Sequence, residues 1–585
     1  MAVENLITEH IDIWTSAVKT RSTSGRGSSK KLELYGIKKL RELILELAVR
    51  GKLVPQDSSD EPTSVLLERI AQEKAQLVKE KKLKKPKKLP NIIDEEKPFD
   101  LPNGWSWIRL NEYGEWGSGS TPKRSNSGYY DGGIPWFKSG ELKADYISES
   151  EETITELALS ETSVRYNNVG DVLVAMYGAT IGKTAILSVR ATTNQAVCAC
   201  TPFTGLSNTY LLTLLKAYKA RLIGMGAGGA QPNISREKII NTVIALPSTA
   251  EQHRIVAKVD ELMALCDQLE QQTEASIEAH QVLVTTLLDT LTNSADADEL
   301  MQNWARISEH FDTLFTTEES IDQLKQTILQ LAVMGKLVPQ DPSDEPAAEL
   351  LKRIAEEKAQ LVKDKKIKKQ KALPPINEDE KPFELPNGWE WCRLEDVVDI
   401  QSGITKGRKL AGRELKTIPY LSVANVQRGY LILNNVKEID LPIDELEKYS
   451  VEDGDLLITE GGDWDKVGRT AIWRSEVPYM AHQNHVFKAR PFLKEQSEAW
   501  LEMYLNGPFA RKYFAGSSKQ TTNLASINKT QLRSCLIAVP PRDEKKEISD
   551  RVQELVGMCD LLLEGIRASL QTQLQLTDVI VDQVV

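Results

Sequence analysis

The sequence predicts an α+β chain built as a tandem pseudo-repeat, with two mixed domains separated by long helices that form an antiparallel coiled coil and a helical extension before each domain. The first observation behind this is a repeat. Residues 37–57, IKKLRELILELAVRGKLVPQD, match residues 321–341, IDQLKQTILQLAVMGKLVPQD, at 14 of 21 positions, an offset of 284 residues from Gly51 to Gly335. The second is a heptad-like seam: Ile255, Val259, Leu262, Cys266 and Leu269 step by four, three, four and three, and Ile548, Val552, Leu555, Cys559 and Leu562 step identically. The third is that each copy places short β-type runs between Gly-rich turns, such as Asp171-Val-Leu-Val-Ala and Asp455-Leu-Leu-Ile-Thr. At 585 residues the chain is too long for one hydrophobic core.

In order, residues 1–97 form an N-terminal helical region and Lys-rich linker. Leu40, Leu43, Ile44, Leu47 and Ala48 recur at helical spacing, Leu66, Leu67, Ile70 and Leu77 resume it, and Pro86, Pro90 and Pro98 end it. Residues 98–247 form the first mixed domain. Residues 248–381 hold the central long helix, the second helical extension and its linker, residues 382–540 the second domain, and residues 541–585 the C-terminal long helix. The 284-residue offset holds through Leu-Pro-Asn-Gly-Trp at 101–105 and 385–389, Ile134-Pro135-Trp136 against Ile418-Pro419-Tyr420, and Gly170 against Gly454. It then grows to 293, from Pro247 to Pro540, so the second domain carries extra loop residues. Each seam exposes an apolar stripe that needs cover, and the duplicate is the expected partner.

Composition narrows the function classes. With 41% hydrophobic and 27% charged residues the chain matches soluble globular proteins, and no run approaches the ~20 apolar residues of a membrane span. The first residues lack a basic flank followed by an apolar run, so a cytoplasmic protein is expected. Six scattered cysteines, none in a Cys-x-x-Cys pair, read as reduced thiols. The 73 basic residues against 84 acidic ones leave a net charge of −11, not the usual signature of a nucleic-acid binder. The Lys-rich runs at 79–88 and 363–371 read, on their own, as solvated linkers.

Catalytic motifs do not emerge. Gly178-Ala-Thr-Ile-Gly182-Lys183-Thr184 is one residue short of a phosphate loop and the second copy lacks it, so nucleotide binding is rejected there. His482 and His485 have no acidic or Cys companion, and the first copy reads Thr-Thr-Asn-Gln at 192–195, so no metal site is expected. No methyltransferase motif, cofactor fingerprint or nuclease carboxylate cluster stands out. What recurs is loops. Ser118-Gly-Ser-Thr-Pro-Lys-Arg124 is equivalent to Ser402-Gly-Ile-Thr-Lys-Gly-Arg408, and Gly/Ser-rich segments surround Gln231 and Asn233 in one copy and Gln520 and Asn523 in the other. Arg and Lys suit phosphates or guanine, and Asn and Gln suit adenine. The candidate DNA-contacting set is therefore Ser120, Thr121, Lys123, Arg124, Lys138, Lys183, Gln231 and Asn233 in the first copy. In the second it is Thr405, Lys406, Arg408, Lys409, Asp463, Lys466, Arg469, Gln520 and Asn523.

These elements together resemble the specificity subunit (HsdS) of type I restriction-modification enzymes over nearly the whole chain. The resemblance rests on Leu-Pro-x-Gly-Trp opening each domain, Ser-Gly-Ser-Thr-Pro followed by Ile-Pro-Trp, Thr459-Glu-Gly-Gly-Asp463, and Pro247 with Glu251-Gln252-x-x-Ile255. The chain departs from that pattern at Asp543-Glu544-Lys545-Lys546, where the first copy has Glu-Gln, and at Tyr420 for Trp136. The resemblance implies two target-recognition domains, each reading one half of a bipartite, asymmetric double-stranded DNA sequence, and no catalysis by this chain. It implies two modification (methyltransferase) subunits and restriction (motor/nuclease) subunits as partners, no membrane, and no cofactor on this chain, with S-adenosylmethionine, ATP and Mg on the partners. Two other readings are a stand-alone DNA-binding regulator and a coiled-coil scaffold that ignores DNA. The helical extensions at 37–90 and 321–374, the most alike parts of the copies, are the expected docking surfaces for two identical partners, through residues such as Leu40, Leu47 and Leu53; the alternative is that their lysines touch DNA flanking the target.

If the paired helices set the spacing of the two half-sites, one heptad added to both lengthens the spacer by roughly 10 Å, the span of about three base pairs. Methylated DNA from cells carrying the lengthened chain should show the same half-sites with a longer undefined gap. An unchanged gap at full activity would show that the helices are not the ruler.

Overall fold

The computed structural model describes residues 3–22, 30–81, 89–226, 232–462, 466–521 and 524–584, and the chain divides into two units. The first comprises residues 1–20, 32–275 and 570–585, the second residues 21–31 and 276–569.

In the first unit α1 (Tyr35–Val49) and α2 (Thr63–Lys79) form the extension. The strands are β1 (Ser106–Arg109), β2 (Gly114–Ser118), β3 (Tyr130–Phe137), β4 (Tyr146–Ile147), β5 (Thr153–Ile154), β6 (Val172–Ala175), β7 (Thr184–Leu187), β8 (Thr192–Thr193), β9 (Val197–Pro202) and β10 (Val243–Leu246). A five-stranded sheet runs β2-β9-β6-β7-β4, antiparallel except at the β4–β7 edge. A smaller sheet runs β8-β3-β5, and β1 pairs with β10. Successive strand side chains point to opposite faces, and both faces here are covered. Val172, Val174, Cys198 and Cys200 enter the core shared with the helices, whereas Leu173, Ala175, Val197 and Ala199 enter a second core behind the sheet. Helix α3 (Thr249–Thr292) follows, its residues up to Ala275 in this unit.

The second unit repeats the plan with α4 (Glu318–Val333) and α5 (Ala347–Lys363). Its main strands are β11 (Glu390–Arg393), β12 (Val398–Ser402), β13 (Leu415–Leu421), β14 (Lys437–Pro442), β15 (Leu456–Thr459), β16 (Thr470–Ile472), β17 (Ala481–His482), β18 (Val486–Pro491) and β19 (Leu536–Val539), and Leu524–Ser526 pairs with Gly461–Gly462 and Lys519–Thr521 in a further small sheet. The main sheet runs β12-β18-β15-β16, the smaller one β14-β13-β17, and β11 pairs with β19. Helix α6 (Arg542–Val584) closes the chain, its residues from Leu570 onward belonging to the first unit.

The repeated GKLVPQD segment owes its identity to three jobs done twice. Gly51 and Gly335 end α1 and α4 at φ +70° and +68°, the left-handed region where glycine is unstrained, and an added Cβ would come within 2.5 Å of Pro102 and Pro386 Cγ. Lys52 Nζ donates to the Val584 carbonyl (3.5 Å) at the end of α6, and Lys336 Nζ donates to the carbonyls of Thr292 (3.0 Å) and Ser294 (2.9 Å) at the end of α3, each neutralising a helix C-terminus. Gln56 donates to Glu251 (2.6 Å) and Gln340 to Glu544 (3.1 Å). The same carboxylates accept the indole N–H of Trp105 (2.9 Å) and Trp389 (3.0 Å), the tryptophans of the two Leu-Pro-Asn-Gly-Trp motifs. Burial pushes both carboxyls above their usual range, and these donors pull them back. Glu544 thus stands where Glu251 does despite the local difference in sequence. Next to it, Gln252 bonds the Ser207 N–H, whereas Lys545 turns its buried ammonium to the Gln496 carbonyl.

The first seam is buried throughout, whereas the second is buried at Ile548, Val552 and Cys559 but leaves Leu562 exposed, and the extension helices provide cover that periodicity alone did not single out. Arg41 on α1 pairs with Asp267 (2.7 Å) and Glu270 (2.6 Å) on α3, and the equivalent Lys325 on α4 pairs with Asp560 on α6. Leu40, Leu47 and Leu53 are buried in the first unit's core. They are therefore framework residues and not an exposed docking surface, which corrects the expectation above.

Trp105→Phe keeps most of the ring but leaves a buried carboxylate short of one donor, so it should cost about 1–3 kcal/mol, and Trp389→Phe should cost a similar amount. Urea unfolding measures both. An unshifted transition in Trp105→Phe would remove this bond from the framework.

Candidate nucleic-acid interface

In the first unit the loop after β2 is pinned to its neighbours. The Gly119 N–H donates to the Val197 carbonyl and the Ser120 N–H to the Thr193 carbonyl, both at 3.0 Å. A Cβ on Gly119 would lie 2.2 Å from the Thr193 carbonyl oxygen, and one on the equivalent Gly403 would lie 2.2 Å from that of His482. The Ser-Gly pair is thus a close-approach requirement met in both copies. Trp136 on β3 donates its indole N–H to the Ser120 carbonyl (3.1 Å), Ser120 Oγ meets Ser163 Oγ (2.8 Å), and Thr121 bonds Gln195.

Arg124 stands at the centre of this surface. Its guanidinium lies 4.7 Å over the Tyr130 ring and 5.0 Å over the Trp136 ring and pairs with Glu152. Lys138 reaches the same carboxylate at 2.9 Å and Glu151 at 3.1 Å. Hydrogen bonds from Arg124 and Lys138 hold Glu152 down to about 2, so it is ionised at neutral pH. Lys123 is exposed, with no ion pair to a described residue. The Thr121–Gln195 contact leads on: the Met176 N–H donates to the Ala196 carbonyl (2.8 Å), half-exposed Tyr177 follows, and Tyr177 bridges to exposed Asn233. Lys183 is half-buried at the other end of the turn that Tyr177 begins. Gln231 lies outside the described residues.

The second unit builds the same arrangement from different parts. Arg408, equivalent to Arg124, pairs with Glu445 (2.7 Å) and lies 5.7 Å over the Tyr449 ring, and Arg413 shares the carboxylate at 2.6 Å. Lys406 Nζ lies 5.0 Å over Tyr420, the residue that replaces Trp136. Thr405 and Lys409 are exposed. Arg469 donates to Gln427 (2.7 Å), and the half-buried Lys466 accepts the Thr459 hydroxyl at its carbonyl. Gln520 lies on a strand pairing with Ala525, while Asp463 and Asn523 lie outside the described residues. His482 is buried, bonds the Val486 carbonyl and is pushed down to about 4 by burial, whereas His485 pairs with Glu460. Among the described residues no group of three or more His, Cys, Asp or Glu side chains could hold a metal, and no helix is long and apolar enough to cross a membrane.

Sequence reasoning missed Glu152, Glu445, Gln195 and Tyr177. The two carboxylates stand at different distances along the chain from their arginines, 28 residues in one copy and 37 in the other, so no repeat marks them. The Trp of the Ile-Pro-Trp run marks where Arg124 rests, but the matching Tyr420 takes Lys406 while Arg408 rests on Tyr449.

Glu152→Gln removes the charge that neutralises Arg124 and Lys138. It should raise affinity for non-target duplex several-fold at low salt and steepen the salt dependence by about one unit, whereas Arg124→Ala should do the reverse. Filter binding across a salt series reads both, and identical curves for the two variants and the parent would place this cluster outside the interface.

The family model for the type I restriction modification DNA specificity domain matches residues 102–279 and again 386–572. The chain is 42% identical to the type I restriction enzyme EcoEI specificity subunit of Escherichia coli and 44% identical to the EcoAI specificity subunit of the same organism, in each case over 100% of this chain and 99% of the relative. A solved structure of an HsdS subunit from Thermoanaerobacter tengcongensis aligns with 84% of this chain and 98% of its own at 18% identity and a TM-score of 0.39. The double match and the full-length identity agree with the duplicated framework, and this chain belongs to the specificity-subunit family of type I restriction-modification systems.

Proposed function

We propose that each unit of this DNA-specificity subunit reads one half of a bipartite, asymmetric duplex target through the pinned loop that carries Arg124 or Arg408. The observation that carries the reading is that both arginines, 284 residues apart, are posed beside an aromatic ring by a carboxylate drawn from a non-equivalent position, Glu152 or Glu445. A shared pose with unshared surroundings suits two domains that use one docking scheme for two sequences. Arg contacts bidentately to guanine or as a charge to phosphate, while Ser120, Thr121, Asn233 and Thr405 offer hydrogen bonds that neighbouring bases or phosphates accept or supply.

In this reading the chain performs no chemistry. Two modification subunits supply S-adenosylmethionine and adenine methylation, restriction subunits supply ATP- and Mg-dependent translocation and cleavage, and the assembly works in the cytoplasm. An acidic subunit tolerates this role because its partners carry part of the positive surface that neutralises phosphates.

Exchanging residues 98–247 for the first domain of another specificity subunit should change one half of the methylated target and leave the other as it was. Mapping methylated adenines in the host genome reads the outcome. A change in both halves would sink the modular reading, and a chain that binds no duplex with or without its methyltransferase would sink the DNA role altogether.

A further inference from the structure

The Lys-rich run of the second copy, which by its composition reads as a solvated linker and within the extension as an alternative contact to flanking DNA, forms one wall of a cavity. Residues 367–376 fold back over β12 and the short helices Leu394–Val397 and Lys529–Ser534, enclosing about 420 Å³. The fold-back is held by arginines. Arg533 donates to the Lys371 carbonyl (2.7 Å) and pairs with Glu395, and Arg393 donates to the Pro374 carbonyl (3.2 Å) and pairs with Glu380 (3.0 Å).

The acids around this cavity are already engaged. Glu395 holds Arg533, Asp396 accepts the Arg393 N–H (3.0 Å) and lies 3.7 Å from Lys358, and Asp399 accepts from Gln401 (2.7 Å). Lys368, Lys369, Lys371 and Lys529 line the same space, and none of their ammonium groups makes an ion pair with a described residue. Half-buried Lys529 is held below its ordinary range chiefly by burial, with Asp399 pulling it up and the neighbouring charges of Arg533 and Lys368 pushing it down. Cations gathered in a concave site without enough acids to balance them attract an anion, and primary ammoniums act as point charges for phosphate.

We propose that this cavity holds a backbone phosphate of the duplex bound by the second unit, gripped by Lys529 and Lys368. The inference rests on the DNA-reading role above and adds to it a contact outside the recognition loop. The cavity lies along β12, whose far end at Ser402 leads into the loop carrying Arg408. Five extended residues span roughly 13–17 Å. That falls within the footprint of one duplex, whose phosphates recur about every 3.4 Å along each strand.

The test uses the full chain, a short random-sequence duplex and fluorescence anisotropy across a salt series. The double substitution Lys368→Gln with Lys529→Gln should weaken binding several-fold at low salt and lower the slope of log K against log[salt] by roughly one to two units, while Lys529→Arg should behave like the parent. Parent-like affinity and slope in the double variant would overturn the proposal. Should inorganic phosphate raise the Tm of the parent but not of the double variant while duplex binding stays parent-like, the cavity takes free phosphate and the duplex assignment is wrong. Arg408→Ala separates the two readings. If it weakens binding and the double lysine variant does not, only the cavity proposal falls, whereas a parent chain that binds no duplex at all brings down both.

Discussion

Taking a carboxylate out of water costs several kcal/mol unless donors replace the lost solvent, and this chain does so at the equivalent Glu251 and Glu544 as well as at Asp171 and Asp455. Each glutamate sits in the first turn of a long helix, where the helix dipole favours it. Each also draws in a glutamine from the end of the helical extension and a tryptophan from the entry to the domain. Three segments distant in sequence are thereby fixed to one pair of oxygens. The glycine that ends the extension helix must pass close to the same tryptophan, within 2.9–3.0 Å of a hypothetical Cβ, so the motifs constrain one another geometrically.

A rigid framework lets the loops diverge. Gly119 and Gly403 are held against neighbouring backbone, so whatever follows each of them starts from an equivalent place. The arginine five residues later keeps its position and changes its surroundings, from Glu152, Tyr130 and Trp136 to Glu445 and Tyr449. A carboxylate beside a DNA-reading arginine acts in two ways. It orients the fork of donors, and it competes with any phosphate that approaches, so a site must offer enough further contacts to displace it.

The linkers are part of the framework too. Arg109 and Arg393 are buried at the ends of β1 and β11, where they collect the carbonyls of Pro90 (3.0 Å) and Pro374 (3.2 Å) and the carboxylates of Glu96 (2.9 Å) and Glu380 (3.0 Å). Five guanidinium donors satisfy a proline-rich stretch that makes few backbone bonds of its own. The net charge of −11 therefore describes the chain as a whole and says little about the places where its lysines gather.

Sequence by itself determined the duplication, the helical extensions, the buried core strands at 172–175 and 456–459, the burial of the first seam and of most of the second, and the position of the basic loops, because repeats and periodicity are local, additive signals. It also determined the family, through motifs that proved to be the contact points of the framework. Only the tertiary structure decided that Leu40, Leu47 and Leu53 are core, that Arg41 and Lys325 tie the extensions to the long helices, and that Glu152 and Glu445 hold the loop arginines. Periodicity reveals that a helix face is apolar but not what covers it. An ion pair spanning 28 residues in one copy and 37 in the other leaves no common spacing to read. Such pairings arise when the strands are brought together, and they are set by three-dimensional distance.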